Sequence, residues 1–276
     1  ATTEIYTLSL HDALPISDPG TGEDLDDLTI VLTNWTRVGA VVQSLQGEFQ
    51  RHEFDTTRHI EAVAVGRIHF EAGNRGLYAI DSPLRPPLPA SKRQRDNGSP
   101  YDVIASPPEM LYWVNGQFVR VHTPRPEYEL FEVPTQFRTS APVEVLDSWD
   151  ILWTALGSLP RRVPGLLESN LTHVQERYDW TLVGMDENHI VLTGKPRTAA
   201  DKRHISEIHI HLDADTYLTQ ATKIVDPTGT REVVHVFRNL KINAQPDPSQ
   251  PDWAPDLGRM TLLTAPPLAP PAALDE

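Results

Sequence analysis

The chain has 276 residues, 39% of them hydrophobic, with 24 Lys and Arg against 38 Asp and Glu, a formal net charge of −14. That length suffices for one sizeable core or two small ones. So acidic a surface repels phosphate backbones and anionic head groups, which argues against a nucleic-acid partner. The lack of cysteine excludes disulfides, thiolate nucleophiles and zinc–thiolate sites. No apolar run approaches the ~20 residues of a membrane-spanning helix, and 25 prolines disfavour an all-helical fold.

Residues 1–16, ATTEIYTLSLHDALPI, resemble a translated sequencing adapter over their whole length. They are therefore expected to add nothing to the fold, as a fusion scar would, which leaves the natural start and any leader outside the sequence. From Asp24 to Leu45, the residues Leu25, Leu28, Leu32, Trp35, Val38, Val42 and Leu45 recur at steps of three and four. This spacing predicts an amphipathic helix, with Asp24, Asp26 and Asp27 at its positive end. Ala62, Ala64, Gly66, Ile68 and Phe70 alternate with more polar neighbours and predict one face of a strand. Leu77–Ile80 reads as a short strand. Ser82–Pro100, with Pro83, Pro86, Pro87 and Pro89 and the basic stretch Lys92–Arg95, reads as a mobile loop.

Tyr101–Ala105, Met110–Val114, Gln117–His122 and Tyr128–Val133 are predicted strands, and Asn115-Gly116 signals a type I′ hairpin. A helical pair follows at Trp149–Leu159 and Pro164–Tyr178, with Pro164 suited to a first turn. Then come strands at Trp180–Met185, His189–Thr193, Ile205–Leu212, Tyr217–Val225 and Glu232–Asn243. Turns at Asp186–Asn188, Asp213–Asp215 and Asp226–Gly229 are too short for parallel crossovers, so neighbours pair antiparallel. Gln245–Glu276 is a Pro-rich extended tail in which Trp253 and Met260–Leu263 are apt to dock back. The predicted class is mostly β (α+β): residues 17–245 form a curved antiparallel sheet, an unclosed half-barrel, covered by the N-terminal helix and the helical pair. Residues 246–276 form the tail.

Three phrases in order, Ser44–Gln50 (SLQGEFQ), Gly66–Arg75 (GRIHFEAGNR) and Ile208–Leu218 (IHIHLDADTYL), resemble the LolA superfamily of outer-membrane lipoprotein carriers. The stretch from Arg177-Tyr178-Asp179-Trp180 to Lys195-Pro196 is similar to a planctomycete-type branch of it. The resemblance spans roughly Leu25 to Asn243 at pattern level. It implies an unclosed barrel with helices as a lid over an apolar cavity, a place in the periplasm or cell envelope, and non-enzymatic binding of lipid or lipoprotein acyl chains. The chain departs from the family twice. Ala72-Gly73-Asn74 stands where the carriers read Arg-Pro-Asn, and Gly76-Leu77-Tyr78 where they read Phe-Arg-Trp. The arginine that latches the lid thus falls on Leu77, which implies passive, reversible binding rather than an energised carrier cycle.

The candidate acyl-cavity residues are Phe49, Ile68, Phe70, Leu77, Ile208, Ile210, Val234, Val236 and Leu240, with Ile242, expected to share one concave face. An ordinary packed core explains each of them equally well. Arg238 falls on the same parity, which demands either a bulge or a polar contact inside that face. His209 and His211 alternate with Ile208, Ile210 and Leu212; a half-exposed strand explains them better than a metal site. Asp213-Ala214-Asp215 lacks the glycine and distant glutamate of a calcium loop. No G-x-S-x-G, H-E-x-x-H or phosphate-binding glycine loop occurs, so no catalytic residue, metal or cofactor is predicted. The alternative is a protein-binding sensor or scaffold with a filled core, using Pro86–Pro100 as its contact surface.

Overall fold

The computed structural model describes residues 23–71, 75–80, 87–114, 117–122, 125–132, 170–244 and 256–263. Helix α1 (Glu23–Val41) leads into β1 (Ser44–Asp55), β2 (Ile60–Glu71) and β3 (Arg75–Ile80). Next come β4 (Asp102–Ala105), β5 (Glu109–Val114), β6 (Gln117–His122) and β7 (Glu127–Glu132). Helix α2 (Leu171–Arg177) runs straight into β8 (Tyr178–Met185), followed by β9 (His189–Pro196) and a short helix α3 (Ala199–Lys202). The last strands are β10 (Glu207–Asp213), β11 (Thr219–Val225), β12 (Arg231–Ile242) and the two-residue β13 (Thr261–Leu262).

All the strands join one unclosed sheet, ordered β13-β7-β6-β5-β3-β2-β1-β12-β11-β10-β9-β8, with β4 beside β2. Every pairing is antiparallel except β2–β4 and β7–β13. β2 is lined by β3 along Arg67–Glu71 and by β4 along Ile60–Val63. The predicted class thus holds. Of the helical pair, Trp149–Leu159 lies outside the described residues; the second helix is described only as α2, capped by Asn170.

Helix α1 ends four residues before its apolar periodicity does. Asn243, at φ 51, accepts from the N–H groups of Gln43 and Ser44 at 2.6 and 3.2 Å and donates to the carbonyl of Val41 at 3.0 Å. A residue 200 positions away thereby caps the helix and starts β1, so Leu45 is a strand residue.

The register fixes which side chains share a face. On the inner side, facing α1, Val31, Leu32 and Trp35 pack with Ile190, Leu192, Ile208, Ile210, Leu212 and Ile224 of β9–β11. Over β5–β7 the inner side is mixed: Glu109, Arg120, His122 and Glu129 share it with buried Leu111, which lies opposite Tyr78 and Arg120. Arg120 lies 3.5 Å from Glu109 and 3.1 Å from Glu129. There the apolar cluster sits on the outer side: Leu77, Ala79, Tyr112, Val119 and Val121, with Leu257 and Met260 from the C-terminal segment packed on it. The tail docks through backbone bonds from Thr261 to the Pro126 carbonyl (2.7 Å) and Leu263 to that of Tyr128 (2.8 Å); Trp253 lies outside the described residues.

Residues 87–101 are not a free loop. Arg93 grips Glu232 of β12 through both guanidinium nitrogens and lies 4.0 Å over the ring of Phe54. Arg95 pairs with Asp102 at 2.6 Å, and Gly98, at φ 81, makes the turn between the bridged Gln94 and Pro100. A buried bidentate ion pair holds what composition alone suggests should move.

Candidate binding face

Of the candidates, the inner face gathers Phe49, Ile68, Phe70, Ile208, Ile210 and Leu240. Phe49 faces Gly66 and Phe237 across the ladders. Ile68 lies opposite Gly47 and Phe70 opposite Leu45. A Cβ on Gly47 would sit 2.6 Å from Leu240 Cδ2, which places the Leu240 side chain over that glycine. Gly66 has a similar role: a Cβ there would meet Phe49 Cζ at 2.3 Å and the Ala79 carbonyl at 2.2 Å. The missing side chain lets the Phe49 ring cross β2 and stack on Tyr78, with centroids 4.5 Å apart.

Three candidates lie on the other face. Leu77 pairs with His69 and Tyr112 and belongs to the outer cluster. Val234 faces His52 and Val236 faces Gln50, both outward. The cause is a bulge: the register of β1 and β12 slips between Gln46 and Glu48, where Asn239 adopts φ 53 and donates to Glu48 at 3.1 Å. Beyond it, Leu240 and Ile242 fall back on the inner face, with Ile242 opposite Leu45. Before it, Val233, His235 and Phe237 are the inward set, and Arg238 points outward to Gln50 at 3.3 Å. The bulge that the parity of Arg238 demands is therefore present, and it puts Val234 and Val236 outside.

The inward candidates divide further. Ile208 and Ile210 are 1% and 0% exposed inside the cluster closed by α1. Phe49, Ile68 and Phe70, at 2%, 6% and 3%, belong to none of that cluster.

Sequence reasoning did not find the polar groups beside them. His235 is fully buried and shares a 3.1 Å hydrogen bond with the Tyr78 hydroxyl. Arg51 faces His235 on one side and Ala64 on the other. Burial works against the Arg51 charge, but Tyr78, Glu53 and Glu109 more than offset it and leave its pKa raised. Its position within SLQGEFQRHEFD gives no pattern that marks it as inward.

On the outer face, Glu232 accepts from Lys223 at 3.1 Å as well as from Arg93. Burial pushes its carboxyl up, and these two cations outweigh that and leave it lowered. His209 contacts Glu207 at 3.2 Å and Thr193 at 3.1 Å. Desolvation, with His209 and His189 nearby, lowers His211 to about 4. Among the described residues no group of three or more His, Asp or Glu is arranged to hold a metal ion.

No family model and no curated protein matches the chain. Solved structures do match at low identity. LprF from Mycobacterium bovis is 12% identical with a TM-score of 0.38, covering 82% of this chain and 98% of its own. A LolA superfamily protein from Nitrosomonas europaea is 8% identical with a TM-score of 0.33, covering 79% and 94%. MucB, in its complex with MucA of Pseudomonas aeruginosa, is 16% identical with a TM-score of 0.35, covering 86% and 64%. At these TM-scores the description of the fold rests on the strand order and registers above. An unclosed antiparallel sheet under an N-terminal helix is the arrangement that the LolA resemblance implies.

Proposed function

We propose that the protein is a non-enzymatic binding module of the cell envelope that receives the acyl chains of a lipid or lipoprotein. They lie along the inner face of β1 and β2, on a track made by Leu45, Phe49, Ile68, Phe70 and Leu240. The observation that carries this reading is the division of the inner face. The track runs beside the cluster sealed by α1 and is not part of it, so a chain lying there displaces what covers Leu45, Phe49, Ile68 and Phe70, which are 1–6% exposed, and leaves that cluster packed. Each methylene moved from water onto such a surface contributes about 0.8 kcal/mol. With Leu77 outside, no arginine latch acts at that position, so loading is reversible and needs no energised partner.

The test is displacement of an environment-sensitive fatty-acid probe. Ile68→Asp, checked for native circular dichroism, is expected to abolish binding, because an unpaired carboxylate in an apolar site is costly. Ile208→Glu is unsuitable, since it strikes the packed core. No binding by folded wild type defeats this reading. It would leave the protein-binding scaffold, which the filled cluster under α1 and the fastening of residues 87–101 by Arg93 favour.

A further inference from the structure

One row of side chains crosses the middle of the inner face at a single level: Ile210, Thr222, His235, Arg51 and Ala64, each opposite the next. Its centre is polar, although Phe237 and Phe49 flank it on one side and Ile224 and Val233 on the other. Thr222 is fully buried, and its Oγ1 has no hydrogen-bond partner among the described residues.

Among the described residues, Arg51, Arg93, Arg120 and Arg177 have side chains only 12–14% exposed, and they are held very differently. Arg93 is forked onto Glu232, Arg177 onto Asp201, and Arg120 lies between Glu109 and Glu129. Arg51 has no such clamp. Its nearest carboxylate, Glu53, is 3.8 Å away, and its contact with the Ser106 hydroxyl is 3.4 Å. Tyr78 also hydrogen-bonds to Arg51 and Glu109 acts on it through its charge, but the Arg51 Nε has no partner among the described residues. A guanidinium carries five N–H donors in a fixed fork suited to a carboxylate or phosphate. Leaving such donors underused in a buried site is costly, and an anion from outside the chain would supply acceptors.

We propose that Arg51, with Thr222 one strand beyond His235 in the same row, receives the anionic head, carboxylate or phosphate, of the amphiphile whose chain lies on the Leu45–Phe49 track. This rests on the acyl-binding reading above. Leu45, Gly47, Phe49 and Arg51 follow one another on one face of β1, about 20 Å from end to end at ~3.4 Å per residue. An apolar track ending in a guanidinium matches a long chain ending in an anion. The acidic surface does not prevent this, because exposed charges are screened beyond ~8 Å whereas Arg51 acts at contact. Glu109, which also faces this region, is engaged by Arg120.

The test compares a fluorescent fatty acid with its methyl ester on the full chain at pH 8. The acid is expected to bind at least tenfold tighter. Arg51→Gln should weaken the acid to the level of the ester and leave the ester unchanged. If that variant does not fold, Arg51→Lys carries the test: it keeps the charge but loses the fork, and should weaken the acid severalfold while sparing the ester. Equal binding of acid and ester by wild type, or a preference that survives in the variants, overturns the anchor and leaves the acyl reading standing. Binding of neither probe overturns both. A monoacylglycerol phosphate should displace the acid, which extends the anchor to phosphate heads; its failure restricts the anchor to carboxylates, against the proposal as stated. Displacement by inorganic phosphate alone would mark a plain anion site and overturn the amphiphile.

Discussion

The two meanders of this sheet turn opposite sides to their apolar clusters. In β8–β11 the apolar side is the inner one, closed by α1, while the outer side shows His189, His209, His211 and Lys223. In β5–β7 the inner side carries Glu109, Arg120, His122 and Glu129, and the apolar cluster lies outside under Leu257 and Met260. One continuous hydrogen-bonded sheet thus carries its largest apolar cluster on the inner side of one wing, and on the other an outer cluster backed by a mixed inner side. Between the wings, β1–β3 keep Phe49, Ile68, Phe70, Tyr78 and Ile80 buried on the inner side, with Arg51 among them.

Three measurements break or sharpen this contrast. The largest effect should come from Ile210→Ala, which removes a fully buried side chain under α1 and should cost about 3–4 kcal/mol in chemical unfolding. Val191→Ala, its neighbour on the outer side of β9, should cost well under ~1 kcal/mol. Similar losses for the two would mean that both sides of this wing are core.

The next effect is on acid stability. The His211 pKa is lowered to about 4 from an ordinary 6.5. The unfolded chain therefore takes up the proton first, and stability falls as pH drops from about 6.5 to about 4, then levels for this group. The full shift corresponds to about 3 kcal/mol, and partial exposure reduces that to ~2. His211→Gln should flatten melting temperature over that window. Loss from Asp55, Glu61 and Glu232, whose carboxyls are lowered, comes at still lower pH. An unchanged slope in the variant would show that His211 is solvated in the folded state.

The smallest effect should follow Met260→Ala, about 1 kcal/mol, because this side chain is only partly buried on the outer cluster. Hydrogen exchange should rise in β6 and β7 and stay constant in β9 and β10. A rise in both wings would show that the two clusters unfold as one unit.

Much of the sheet is legible in the sequence because Ala62–Phe70 and Ile205–Leu212 alternate as half-buried strands do. β1 is not, although it is a central strand. Its outward residues include Gln46, Glu48, Gln50 and His52 before Phe54, and its inward ones include Gly47, Arg51 and Glu53, so neither side spells a hydrophobic period. The end of α1 is hidden because its cap, Asn243, is remote in sequence. Val234 and Val236 read as inward because strict alternation from Leu240 and Ile242 places them there, and the αL geometry of Asn239 breaks the count. Leu77 reads as a cavity residue by family alignment, whereas its partners His69 and Tyr112 face outward.

The pairing of β1 with β12 has a consequence in time. Leu45 must wait for Ile242 and Phe49 for Phe237, which at 5–20 residues per second is a delay of roughly 10–40 s on the ribosome. During that interval β1 has β2 on one side and nothing to zip against on the other. An unpaired strand edge rich in valine and isoleucine would invite other chains. One built from glutamine, glutamate, arginine and histidine stays soluble until its partner is synthesised. The composition that conceals β1 from pattern reading is thus also what lets the nascent chain keep its centre open safely.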